Sequence, residues 1–188
     1  MLVTYFRSFG FFSEEQIADF VSLTATRQLG KNELFAKEDE ISDQVAFIKS
    51  GIFRSCYNTA NGDDITYCFR FPGELLASYS SYITGNASVE NLQAIAPAEL
   101  LVISKENIQK LIDQHQNWTI FSKIIAEQQY LELEERIFQL QRNTASERYA
   151  LLLENQPQYL QQIPLQYLAS YLGVTQRHLS RIRRGITF

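Results

Sequence analysis

Apolar residues recur along this chain at two spacings, and the change from one to the other divides it. Ile65, Tyr67, Phe69 and Phe71 alternate with Thr66, Cys68 and Arg70, the pattern of a half-buried strand. Phe47 to Tyr57 reads as two more short strands broken at Ser50-Gly51. Asn61-Gly62 marks a hairpin turn, since both residue types tolerate positive φ. Glu99 to Ser104 supplies a last strand. Ahead of these, Ser13, Glu14 and Glu15 open a short helix carrying Ile17, Phe20 and Val21. After them come a short helix over Lys105 to Gln114 and a long one over Asn117 to Arg142, a stretch without Pro or Gly.

The long helix is apolar on two sides. Trp118, Phe121, Ile125, Leu131 and Phe138 share one side with Gln128, while Tyr130, Leu133, Ile137 and Leu140 form a second stripe. A solvated face does not carry such residues, so each side needs something to bury against. We assign the stripe of Phe121, Ile125, Gln128, Leu131 and Phe138 to a second copy of the chain, with Gln128 fixing register, and the other to the chain's own domains. The alternative is a monomer that wraps the helix completely.

A break between domains falls near Asn143 to Ser146. Thr144 or Ser146 caps the next helix, whose apolar run over Arg148 to Leu153 stops at Pro157. The glutamine-rich stretch Gln156 to Gln166 reads as a solvated loop. Beyond it, Leu165, Leu168, Ala169 and Leu172 take the i, i+3, i+4, i+7 spacing of a short helix, with Pro164 in its first turn and Gly173 just past its last. Thr175 offers a hydroxyl cap to a second helix. There Leu179, Ile182 and Ile186 lie on one side, and Arg177, Ser180, Arg181 and Arg184 on the other. Ala169 is small where the two helices cross, which meets the positional demands of a helix-turn-helix.

Charge sharpens this. The chain holds 17 Lys+Arg against 21 Asp+Glu, a net −4, yet residues 163–188 contain four arginines and no carboxylate. A cationic patch on an acidic body points to double-stranded DNA as partner. A solvated arginine face on an ordinary helical hairpin is the alternative, and the spacing argues against it. With 45% hydrophobic and 13% aromatic residues the chain can bury a core. No apolar run approaches the roughly 20 residues of a membrane span, and the N-terminus lacks a secretory pattern, so no membrane partner and a cytoplasmic location are expected.

Ile163 to Arg184, IPLQYLASYLGVTQRHLSRIRR, resembles the helix-turn-helix of the Crp/Fnr family of bacterial transcription regulators, in a short form similar to members from Bacteroidetes. The resemblance spans nearly the whole chain. It implies an α+β fold with an N-terminal cyclic-nucleotide-binding-like jelly-roll over 1–116, a long dimerisation helix over 117–143, and a helix-turn-helix domain over 144–188. It also implies a homodimer on a near-palindromic site. By match to the family, Gln176, Arg177 and Arg181 meet base edges, while Thr175, Arg183 and Arg184 meet phosphate and Ser180 shares their face. Only four residues follow Arg184, too few for the family's β-hairpin wing, and Phe188 is expected to fold back on the helix pair.

Gly73-Glu74-Leu75 resembles the opening of the family's phosphate-binding cassette. The match then fails, since no Lys or Arg occurs from Phe71 to Ser104 to neutralise a cyclic phosphate. Cyclic AMP bound in the usual way is not expected, although backbone amides at a helix start remain open to an anion. Tyr79 and Tyr82 line a pocket for another small-molecule effector or simply pack. Two cysteines and two histidines, His115 and His178, neither of them on a predicted strand, leave no ligand set for an iron-sulfur cluster, a haem or a metal. No cofactor and no enzymatic activity are expected. RNA polymerase is a further candidate partner, and the competing reading is a small-molecule sensor that acts through proteins rather than DNA.

Overall fold

The structure is a computed structural model in which residues 1–185 are described. Ile186 and Phe188, which the sequence places against the final helix pair, lie outside the described residues. Two units separate: Met1–Tyr57 with Cys68–Lys123, and Asn58–Tyr67 with the chain from Ile124 on. The cut falls inside the long helix, and the second unit gains a hairpin tip from the strand-rich region.

Eight strands are described: β1 (Ala25–Leu29), β2 (Leu34–Ala36), β3 (Gln44–Ser50), β4 (Phe53–Asn58), β5 (Asp64–Arg70), β6 (Leu75–Leu76), β7 (Asn91–Ala94) and β8 (Ala98–Ser104). They form two four-stranded sheets ordered β1-β8-β3-β6 and β2-β7-β4-β5, a β-sandwich. β8 pairs antiparallel with β1 and β3, and β7 with β2 and β4. Phe35, Ile48, Phe53, Leu76, Leu92 and Leu100 fill the core. The break at Ser50-Gly51 is tight. Gly51 takes φ 90°, and a Cβ there would lie 2.4 Å from the Ala98 Cβ, so no side chain fits.

The hairpin at Asn61-Gly62 is longer than a two-residue turn. The Gly62 N–H donates to Thr59 O at 2.9 Å and the Thr59 N–H to Asp63 O at 3.0 Å. Only Gly62 takes positive φ; Asn61 does not. The alternation expected along β5 also fails, because its two buried residues are Thr66 and Phe69, three apart.

Helix α1 (Leu2–Arg7) was too short to read from spacing, and α2 (Glu14–Ser22) starts at a capping box between Ser13 and Gln16. Ile17 and Phe20 are buried as expected, whereas Val21 is exposed. After α3 (Tyr79–Thr84) and α4 (Lys105–Gln114) comes α5 (Gln116–Arg142). Its first turns carry Trp118 and Phe121 into an aromatic cluster, with Phe12 4.4 Å and Phe20 5.2 Å from Trp118, and Phe6 5.3 Å from Phe121.

Thr144, rather than Ser146, caps α6 (Ala145–Asn155), in a capping box with Glu147. The Gln156 to Gln166 stretch is not a loop. It contains α7 (Pro157–Gln162) and buries Tyr159 and Ile163, which a count of glutamines conceals. α8 (Leu165–Tyr171) and α9 (Gln176–Gly185) follow. Among the described residues no helix is long and apolar enough to cross a membrane.

Candidate nucleic-acid interface

The site is built on α8. Leu168, Ala169 and Leu172 are all buried, and the small Ala169 side chain lets α9 come close. The helix ends in a Schellman motif: the Val174 N–H donates to Ala169 O at 3.0 Å and the Gly173 N–H to Ser170 O at 2.9 Å. Gly173 takes φ 67°, the left-handed conformation this motif demands. The last two carbonyls are held by side chains. Arg136 Nη2 donates to Tyr171 O, while Arg148 donates to Leu172 O from Nε at 3.1 Å and Nη2 at 2.8 Å. No carbonyl in the last turn of α8 is left over.

Ser170 uses its side chain as well. Its Oγ donates to Asp64 O at 3.0 Å and accepts from the Thr66 N–H at 2.8 Å, which explains why β5 buries a threonine. Sequence reasoning missed Ser170, Arg136 and Arg148. The periodicity that located α8 says nothing about which neighbours close its end.

Thr175 caps α9 as expected, its Oγ1 accepting from the His178 N–H at 3.2 Å. Leu179 and Ile182 are buried, and Gln176, Arg177, Arg181, Arg183 and Arg184 are exposed. Ser180 is half-buried, and its carbonyl accepts from Arg184 Nε at 3.3 Å. Among the described residues none of these four guanidiniums is ion-paired. The helix thus offers an uncompensated row of planar donors, suited to phosphate oxygens and to guanine edges.

The cassette region looks different. Gly73 takes φ 94°, and the next residue turns its carboxylate back, Glu74 Oε2 accepting from the Phe71 N–H at 2.9 Å. Glu74 is exposed, and Leu75 pairs with Phe47 in the sheet. Burial, with the Glu74 charge second, pushes the Tyr5 phenol up to about 12. The rings of Tyr79 and Tyr82 stack at 6.3 Å, and burial raises both phenols above their ordinary value. Lys105 lies 5.3 Å from the Tyr82 ring and donates to the carbonyls of Tyr82 and Ile83.

Serines fill the space between. Ser78, Ser81 and Ser88 are buried; Ser78 and Ser88 hydroxyls meet at 2.8 Å, and Ser81 Oγ donates to Asn86 O at 2.6 Å while accepting from the Ser42 N–H. Sequence reading passed over these serines and over Arg54, which is buried on β4 and donates to Gln93 Oε1 at 2.8 Å. A serine hydroxyl is weak evidence until its partners are known.

On α5 the expectation needs correcting twice. Phe121 is 8% exposed, packed against Phe6 and Phe9, so it is not on a free face. On the stripe expected to meet the chain's own domains, Tyr130, Leu133, Ile137 and Leu140 are exposed, as are Leu131 and Phe138, although Leu140 Cδ2 lies 3.8 Å from the place a Gly173 Cβ would take. Gln128 is exposed and Ile125 half-buried. Among the described residues no group of His, Cys, Asp and Glu is arranged to hold a metal.

Residues 26–115 match the cyclic nucleotide-binding domain family. No curated protein is detectably similar in sequence. Solved structures share the fold. FixK2 from Bradyrhizobium japonicum superposes with a TM-score of 0.77 at 19% identity, over 87% of this chain and 84% of that one. A transcriptional regulator of the Crp/Fnr family from Eubacterium rectale gives 0.73 at 16% identity, over 97% and 87%. The catabolite activator protein of Thermus thermophilus gives 0.58 at 21% identity, over 95% and 85%.

Proposed function

From a cyclic nucleotide-binding domain followed by a helix-turn-helix, in the fold of the Crp/Fnr transcription regulators, we propose that this chain is a DNA-binding transcription regulator. It acts as a homodimer on a near-palindromic site and is not controlled by cyclic AMP in the usual way. The observation that carries the reading is the exposed arginine face of α9, set on a packed helix pair in a tail without carboxylates.

Two such helices related by a two-fold axis enter successive major grooves roughly 34 Å apart. Gln176, Arg177 and Arg181 read base edges, each bidentate pair contributing about 1–3 kcal/mol of discrimination. Thr175, Arg183 and Arg184 meet phosphate and set the register, with Ser180 beside them. The apolar side chains left exposed on α5, Tyr130, Leu131, Leu133, Ile137 and Phe138, support dimerisation.

The cassette supports the separation from cyclic AMP. Its glutamate is engaged by the Phe71 amide, its buried serines bond one another or the backbone, and it holds no Lys or Arg from Phe71 to Ser104. Selection of preferred sites from random duplex DNA with the purified protein tests the reading. A two-fold consensus with half-sites one turn apart is the expected result, and failure to enrich any sequence would refute it.

A further inference from the structure

We propose that Arg136 and Arg148 are positioning residues for DNA recognition: they set the direction of α9 by closing the end of α8, and they touch no DNA themselves. The inference rests on the DNA-binding reading above.

The chain uses arginine in two ways. The four on α9 are exposed, whereas Arg136 and Arg148 are half-buried and turned inward. Once the Gly173 and Val174 amides have taken two carbonyls of α8, those of Tyr171 and Leu172 remain at the negative end of the helix. In most helices water or a later amide serves them. Here α5 contributes Arg136, whose guanidinium lies 3.9 Å from the Tyr171 ring and donates to Tyr171 O. From α6, Arg148 forks, with Nε and Nη2 on Leu172 O and Nη1 on Asn143 O at 2.5 Å.

The turn they hold is the one from which α9 departs, since only Leu172 to Thr175 separate the two helices. Gly173 seats that turn: a Cβ there would lie 3.6 Å from Arg148 Nη2 and 3.8 Å from Leu140 Cδ2. The planar fork puts two donors on Leu172 O and a third on Asn143 O in one fixed geometry; an ammonium group can serve two carbonyls, as Lys105 does, but on a flexible stem that fixes no such direction. Geometry, not charge alone, is what Arg148 supplies.

The test compares the wild-type full chain with Arg148→Lys and Arg148→Met. Amide hydrogen exchange at Gly173 to Leu179 is read without DNA, and affinities for a selected and a random duplex are read across a salt series. In Arg148→Lys, exchange rises about tenfold and the selected-to-random ratio falls by about as much, the scale of losing one charge-assisted hydrogen bond. The salt slope on random DNA is unchanged in both variants. Wild-type exchange and an undiminished ratio in Arg148→Lys overturn the proposal, as does a slope that drops by about one in Arg148→Met, which makes Arg148 a phosphate contact. A wild-type chain that binds neither duplex sinks the DNA reading instead, and the exchange arm still decides the clamp. Arg148→Lys carries the test if Arg148→Met fails to fold.

Discussion

Arg181 and Arg184 lie three residues apart on one helix and are given different tasks. Arg184 is drawn back along the helix by its bond to Ser180 O, whereas Arg181 makes no side-chain bond of that kind among the described residues. Arg181→Ala is expected to relax base preference at one position by about 1–3 kcal/mol. Arg184→Ala weakens binding to every duplex alike and lowers the salt slope by about one. Gel-shift titrations on selected and random DNA across a salt series separate the two, and equal effects on both duplexes would remove the division. Tyr5 offers a second residue-scale check. Its phenol is raised from 10.0 to about 12, so the stability it contributes is whole below pH 10 and is lost as pH climbs through 12. An ultraviolet absorbance titration of Tyr5→Phe is expected to lose one phenol that ionises near pH 12 in the wild type. The tail's helix pair was legible because its apolar spacing and turn glycine are local. Glu74 was legible as a motif, but its bond to the Phe71 amide is something no motif encodes.

Elements were readable where a local rule closes them. α4 runs between the very residues its sequence suggested, with Ser104 accepting from the Asn107 N–H, and Thr144 with Glu147 marks the start of α6. Those without such a rule were lost: α1 is six residues long, and α7 hides in a polar stretch that still buries Tyr159. β5 misled because its Thr66 is covered by Ser170, a residue 104 positions away. The long helix was located correctly, and Phe121 was placed on the wrong side of it. Phe121 belongs to the N-terminal aromatic cluster, while Leu131, 59% exposed, belongs to the open stripe. Leu131→Glu is therefore expected to shift the protein from dimer to monomer in sedimentation, with helix content by circular dichroism preserved. A wild-type chain that sediments as a monomer would remove the dimer from the reading.

At the scale of the whole molecule, an acidic chain carries a short tail with arginines and no carboxylate, which favours binding of an anionic partner there. The cyclic nucleotide-binding domain keeps its fold while its cassette spends its polar groups internally. Cyclic AMP at millimolar concentration is accordingly expected to leave the thermal melting curve in place. A ligand at 100 times its Kd would add about 2.7 kcal/mol, a shift that is easily seen, and its appearance would restore nucleotide control. The aromatic cluster has a practical consequence of its own. Trp118 is the sole tryptophan of the chain, 3% exposed and ringed by phenylalanines. Its fluorescence is therefore emitted from a dry site and reports on the packing of the N-terminal helices against the start of α5, whereas far-ultraviolet ellipticity comes mostly from α5 to α9. Followed through one heating ramp, the two signals reveal without any label whether the first unit melts with the rest of the protein or ahead of it.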